Sequence, residues 1–297
     1  MTRSWVTGPE VTGLAATVGP VQGQLGLEGM PRRLVRATPS RLSAWMDCPR
    51  RYRMAYLDRP APPRGGAFAH NTLGAVVHNA LRAVFDLPVR GRTADAAAGL
   101  VDKLWKDEGF RDAEQAATYR ERARCWVADY VDELDTDAEP VGVERWVSTP
   151  TDRIVAEGRV DRIDERSGRL VVVDYKTGRH ALTVDDARGS QALALYALAA
   201  RRTLRRPCTR VELHHLPSGD VAAWEHNDES LARHLRRAEE AGDEIAVATD
   251  ALADGGDPEL LFPPRTSPRC AWCDMRRNCA EGRAAAPEPK PWALLAP

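Results

Sequence analysis

The sequence predicts an α/β domain built on a mixed sheet, and three observations predict it. Apolar residues at Leu73, Val76, Val77, Ala80, Leu81, Val84 and Phe85 follow helical spacing without a break. After Pro140 the pattern changes to runs rich in β-branched residues, separated by turn signals. A nearly all-apolar helix at Gln191–Leu204 then divides these runs from a later hairpin. Helix, strands, helix and strands in that order stack helices against a mixed central sheet.

Residues 1–37 are rich in Gly, Thr, Val and Pro without either secondary-structure period, so they read as a flexible leader. Thr38-Pro39-Ser40 supplies a cap and a first-turn proline for a short helix carrying Leu42, Trp45 and Met46. Pro49, after Cys48, starts a second helix bearing Tyr52, Ala55 and Tyr56. The amphipathic helix from Leu73 follows, and then a charged helical insertion at about 90–138. Val141–Ser148, Arg153–Ile163 and Leu170–Lys176 read as a three-stranded meander. Arg210–Leu216 and Val221–His226 form a hairpin around Pro217-Ser218-Gly219 after the apolar helix. The main domain is 38–283, and the proline-rich stretch 284–297 reads as a tail.

With 297 residues, 43% hydrophobic and 29% charged, the chain has the composition of a soluble globular protein. Its longest apolar stretch, Ala192–Ala200, is too short to cross a bilayer, so no membrane partner is expected. The start lacks a basic segment followed by an apolar one, and a cytoplasmic location is expected. No GxxxxGK[ST] phosphate loop occurs, so any unwinding would fall to a separate helicase.

The net charge of -1 hides a segregated distribution. Between Pro31 and Gly65 nine arginines face two acids, Asp47 and Asp58. Further clusters lie at Arg201–Arg210 and at Arg265–Arg283. Each is either a solvated surface or a phosphate-binding patch. On the second reading Arg50, Arg51, Arg53, Arg276 and Arg277 are the candidate nucleic-acid contacts.

Asp174-Tyr175-Lys176 ends an apolar strand, so Asp174 and Lys176 share a face. A four-residue loop at Glu165–Gly168 would pair Asp164 with Arg169 and Ile163 with Leu170, placing Asp161 opposite Val172. Asp161 would then lie diagonally across from Asp174, at roughly 7 to 8 Å. Two carboxylates within reach of one Mg²⁺ or Mn²⁺, with an ammonium beside them, suit metal-assisted phosphodiester hydrolysis. An ordinary salt bridge at a strand end is the competing reading.

Around these residues the motifs become specific. Gly158-Arg159-Val160-Asp161-Arg162-Ile163, Val172-Val173-Asp174-Tyr175-Lys176-Thr177-Gly178, Gln191 with Tyr196, and Gly74-Ala75-Val76-Val77-His78 occur in one chain. Together they resemble the RecB-type branch of the PD-(D/E)XK nuclease superfamily. The resemblance implies a restriction-endonuclease-like core acting as a Mg²⁺- or Mn²⁺-dependent exonuclease on single-stranded or frayed DNA ends in repair or recombination. It implies Asp161 and Asp174 as metal-binding acids, Lys176 as the catalytic lysine and His78 as an additional metal ligand. Gln191 and Tyr196 would support the site, with core packing the alternative for Tyr196 and for His78. Glu144 reads as a surface residue, with a helper role as the alternative. A scaffold that binds nucleic acid without turnover is the rival function.

Cys270, Cys273 and Cys279 are spaced C-x2-C-x5-C, and Cys48 stands far upstream. Four thiolates suit either a [4Fe-4S] cluster or a structural zinc, and spacing alone leaves both open. The distribution is similar to that of iron-staple nucleases, including the AddB nuclease domain and RecB-like CRISPR-adaptation nucleases. That likeness implies an iron-sulfur clasp joining the N- and C-terminal segments. Cys125 and Cys208 read as ordinary thiols.

Overall fold

A computed structural model describes residues 34–295; the expected leader lies outside them except for its last residues. Val35–Ala37 forms strand β1 and pairs in parallel with a central strand, so the leader ends earlier than the sequence reading places it. Helix α1, Pro39–Asp47, is capped by the Thr38 hydroxyl, which accepts from the Arg41 amide. Cys48 ends α1 and precedes α2, Pro49–Tyr56. Helix α3 is Ala69–Val84, and α4, Ala94–Leu104, and α5, Ala113–Asp132, follow it. Strands β2, Gly142–Pro150, β3, Ile154–Arg166, and β4, Arg169–Lys176, form the meander. Helices α6, Val184–Gly189, and α7, Gln191–Leu204, lead to β5, Cys208–His215, and β6, Val221–Glu225. Helix α8, Asp228–Ala253, follows.

The result is a mixed six-stranded sheet. Strand β4 runs antiparallel to β3 and parallel to β5, with α6 and α7 in the crossover between β4 and β5. Val171, Val173 and Tyr175 pack on the face covered by α3, α4 and α5. Leu170 and Val172 pack on the opposite face against α7, and α8 closes the neighbouring part of that layer with α1. The expected C-terminal tail is docked, not free: Leu295 is buried, Trp292 packs on the α3–α5 cluster, and the Ala69 amide donates to the Pro291 carbonyl. Burying these apolar groups is favourable enough to hold a segment that proline keeps out of regular structure.

Strand β3 makes the functional feature. Strand β2 runs along one edge of it, from Val155 to Ile163. The other edge is shared. Strand β1 pairs with Ile154–Ala156 and β4 with Arg162–Arg166, so Glu157–Asp161 meets neither. A fork opens there. The turn between β3 and β4 also differs from expectation, because Arg166 pairs with Arg169 and only Ser167 and Gly168 are left to turn, both at positive φ. Ile163 therefore faces Val172, and the position opposite Asp174 is Asp161, two residues from the predicted register.

Arg162 is a fully buried side chain beside this fork. It donates to the hydroxyls of Tyr130, at 2.8 Å, and Tyr175, at 3.1 Å, and pairs with Asp164 at 2.8 Å. Removing one partner of a buried ion pair leaves the other charge without compensation. Arg162→Ala is expected to destabilise the domain by about 3–5 kcal/mol, read from chemical denaturation midpoints.

Candidate active site

Five elements meet at the fork. Asp161 and Arg159 come from the unpaired stretch of β3, Glu144 from β2, Asp174 and Lys176 from the end of β4, His78 from α3, and Tyr196 from α7. Of these, His78, Glu144, Arg159, Asp161 and Tyr196 line a cleft of about 660 Å³ together with Thr38, Pro39 and Ser40 at the start of α1 and with Gly74 and Trp146.

Tyr175 holds the centre through its main chain. Its amide donates to Asp161 Oδ2 at 2.9 Å, and its carbonyl lies 3.0 Å from His78 Nε2. If the ring proton sits on Nε2 and is donated to that carbonyl, Nδ1 keeps its lone pair; it faces Asp161 Oδ2 at 3.3 Å. The Tyr175 ring packs edge-on to the His78 ring, so the imidazole is restrained at both ends. Gly74, one turn before His78, passes so close to Thr177 that a Cβ would sit 3.3 Å from its hydroxyl.

Ligand atoms of His78, Glu144 and Asp161 all lie within 4.8 Å of one another. Two carboxylates and an imidazole form a donor set for a hard or borderline divalent cation. The sequence reading names His78, Asp161 and Asp174 for this set; Glu144 also brings a donor atom within 4.8 Å of those of His78 and Asp161, and Asp174 stands beside the group, paired with Lys176. Glu144 lies between Val143 and Arg145, whose partners are Arg162 and Val160, so it stands opposite Asp161. Its φ of 49° is left-handed, an unfavourable conformation for a non-glycine residue inside a strand. Strand alternation fails at the same place. Ala156 and Val160, at even positions of β3, and Ile163, at an odd one, all pack in clusters containing α7 residues. The two adjacent strands thus change facing at the acids, a change that regular period-two reasoning does not anticipate.

Burial and neighbouring charge shift these groups. Burial raises the Asp174 pKa above the ordinary carboxylate range against the opposing pull of Lys176, and the Asp161 charge adds to the rise. Burial likewise raises Glu144, with the Arg159 guanidinium opposing. For His78 burial disfavours the charged ring, but the hydrogen bond and charge of Asp161 outweigh it and the pKa rises. Tyr196 is pushed up to about 12 by burial and by the nearby Asp174 and Asp161. Its ring lies against Gly158, where a Cβ would approach a ring carbon to 2.6 Å. Gln191 opens α7, and its side-chain nitrogen is buried without a hydrogen-bond partner among the described residues.

The cysteines meet elsewhere in the domain. Cys48, Cys270, Cys273 and Cys279 line one cavity of about 230 Å³ between the α1–α2 junction and the C-terminal segment. Backbone amides of Arg265, Ser267 and Gly282 donate to the sulfurs of Cys48, Cys270 and Cys279 at 3.4, 3.4 and 3.2 Å. Gly282 is needed there, since a Cβ would lie 3.3 Å from the Cys279 sulfur. Such amides stabilise thiolates.

The arginines around this cavity correct the sequence reading. Arg50 is paired with Glu259 and Glu281, Arg53 with Glu259 and Asp58, and Arg51 with Asp274 and Asp47. Arg50 and Arg53 are each only 8% exposed. Arg276 donates to the carbonyls of Arg283 and Ala286. The three α2 arginines thus spend donors on ties to the C-terminal segment, and Arg276 on carbonyls within that segment, which leaves little for phosphate; Arg277 alone of the five is exposed.

A family model of the PD-(D/E)XK nuclease superfamily matches residues 36–280, from β1 to just past Cys279. The chain belongs to this superfamily. No curated protein matches it. Among solved structures it is similar to a candidate exonuclease from Eubacterium rectale, with a TM-score of 0.49 and 13% identity over 82% of this chain and 87% of that one. In this nuclease the Tyr196 ring of α7 lies against Gly158 at the fork. Gly158→Ala is expected to displace the Tyr196 ring and to cost about 1–3 kcal/mol in unfolding free energy, measured by denaturant titration.

Proposed function

We propose that this nuclease is a Mg²⁺- or Mn²⁺-dependent DNA exonuclease of the RecB-like branch, acting on single-stranded or frayed ends in repair or recombination. The observation that carries the reading is the convergence of His78, Glu144 and Asp161 at a break in the sheet where Asp174 and Lys176 also end. His78, Glu144 and Asp161 would hold the ion, with Asp174 as the adjoining carboxylate. A divalent ion there would neutralise phosphate charge and lower the pKa of water. The chain's own residues do the positioning. The Tyr175 amide fixes Asp161, the Tyr175 carbonyl fixes His78, and the half-exposed Lys176 ammonium orients the attacking water or the phosphate at the rim of the cleft. Gln191, with its unsatisfied donor, and Tyr196 support the substrate side.

Incubating end-labelled single- and double-stranded DNA with purified protein and Mn²⁺ tests this. Lys176→Ala and Asp161→Asn are each expected to lower cleavage by about 10²- to 10⁴-fold while DNA binding persists. Unchanged cutting by either variant would remove the mechanism, and absence of metal-dependent cutting by the parent would favour the scaffold.

The cysteine cavity is read as a [4Fe-4S] clasp. Support comes from four thiols around one cavity and amide donors to three of them. The cluster would be structural, tying α1 and α2 to the C-terminal segment, in a cytoplasmic setting that keeps thiols reduced. Protein purified without oxygen is expected to be brown and to carry iron and sulfide. Cys273→Ser should lose both and melt at a lower temperature; stoichiometric zinc without iron would overturn this part.

A further inference from the structure

Trp146 is the one aromatic among the exposed large apolar residues of the described chain, with 49% of its surface open, and it borders the active-site cleft. A single exposed aromatic would by itself mean nothing. Its position gives it meaning. It stands two residues from Glu144 on β2 and directly opposite Arg159 of β3. Among the described residues no ring or cation stacks on its face, whereas Trp45 packs edge-on to Tyr52 and Phe262. The next residue, Val147, is fully buried, so the backbone beneath the indole is held by the core.

Arg159 completes the arrangement. Its Nε pairs with Glu144 Oε2 at 2.7 Å, yet 65% of the side chain is exposed, which leaves guanidinium donors facing solvent. A cation aimed outward beside an unpartnered aromatic face, both at the lip of a cleft holding acidic metal-type ligands, is the pairing that unpaired nucleotides use. The base stacks and the phosphate meets the guanidinium. Duplex bases have their faces already covered by neighbours, so the same lip offers a duplex only the Arg159 contact.

We propose that Trp146 and Arg159 form a stacking subsite for an unpaired nucleobase next to the cleavage position, and that this subsite makes the enzyme prefer single-stranded DNA. The proposal rests on the nuclease reading above. It deepens that reading by assigning the strand preference to two residues outside the ion-binding group.

The test uses the full chain carrying Lys176→Ala, in EDTA, with a labelled single-stranded oligothymidine and with a blunt duplex. Adding Trp146→Ala is expected to weaken single-strand binding by about 5- to 100-fold, with Trp146→Phe keeping most of the affinity. Duplex binding should change by less than about twofold. An oligothymidine with one abasic position is then walked through the site. One position should reproduce the loss caused by Trp146→Ala, and there the substitution should cost nothing further. Equal weakening of both DNA forms, unchanged single-strand affinity, or strictly additive losses at every abasic position would each overturn the subsite. Cleavage by the parent with Mn²⁺ is scored separately. Metal-dependent cutting without Trp146 coupling leaves the nuclease reading standing and the subsite fallen, and coupling without cutting does the reverse.

Discussion

The site depends on one hydrogen bond that takes the place of a strand ladder. Where β3 and β4 stop pairing, the Tyr175 amide would be left without its sheet partner, and the Asp161 carboxylate accepts from it instead. A buried amide left unpaired costs free energy comparable to a lost hydrogen bond. The fork can therefore stay open only because an acid fills the gap in the hydrogen-bonding pattern. The same residue's carbonyl holds His78. One peptide unit of β4 thus orders two functional side chains from two other elements, and anything that slides β4 along β3 moves both.

Such an opening concentrates charge in a partly dry place, and the neighbourhood is arranged to tolerate it. Lys176 offsets Asp174 and Arg159 offsets Glu144. The raised pKa values of Glu144 and Asp174 show that burial outweighs these partners. A set of acids that is under-compensated by its own protein is a set that favours an added cation. The face beneath is stiffer. Arg162, Tyr130 and Tyr175 form a closed polar network against Asp164, so the back of β4 is fixed by oriented hydrogen bonds as well as by apolar packing.

The layers of the fold were legible because large apolar residues mark α3, the meander and α7 with clear periods. Helix α8 was not anticipated. Its inner face is largely Ala238, Ala241, Gly242, Ala246 and Ala248, small residues whose weak apolar signal is masked by the surrounding charge. The register error of two residues left Asp161 close to Asp174 because a shift of two preserves strand facing, whereas the shorter turn itself had no decisive signal in Glu165-Arg166-Ser167-Gly168. Glu144 was visible only as an acid on a strand. What brings it to His78 and Asp161 is a left-handed backbone and a change of facing in β3, and neither has a period to read. The arginines misled for a physical reason. Charge density in a sequence does not distinguish a guanidinium that awaits phosphate from one already forked onto Glu259 or Asp274.

The cysteine cavity and the cleft are connected through α1. Thr38, Pro39 and Ser40 at the start of this nine-residue helix form one wall of the cleft, and Cys48 immediately follows its last residue. A helix of that length is a rod of about 13.5 Å. Leu42 and Trp45 lock it to α8 and the α7 layer, and the Trp45 indole donates to Glu244. Because α1 is packed along its length, restraint applied at Cys48 is transmitted to Thr38 instead of being absorbed by bending. The segment carrying Cys270 adds its own ties near that end, with Arg269 on Asp47 and Arg265 on the Met46 carbonyl. Cys48 and Thr38 thus stand at the two ends of one packed rod that joins the cysteine cavity to the wall of the cleft.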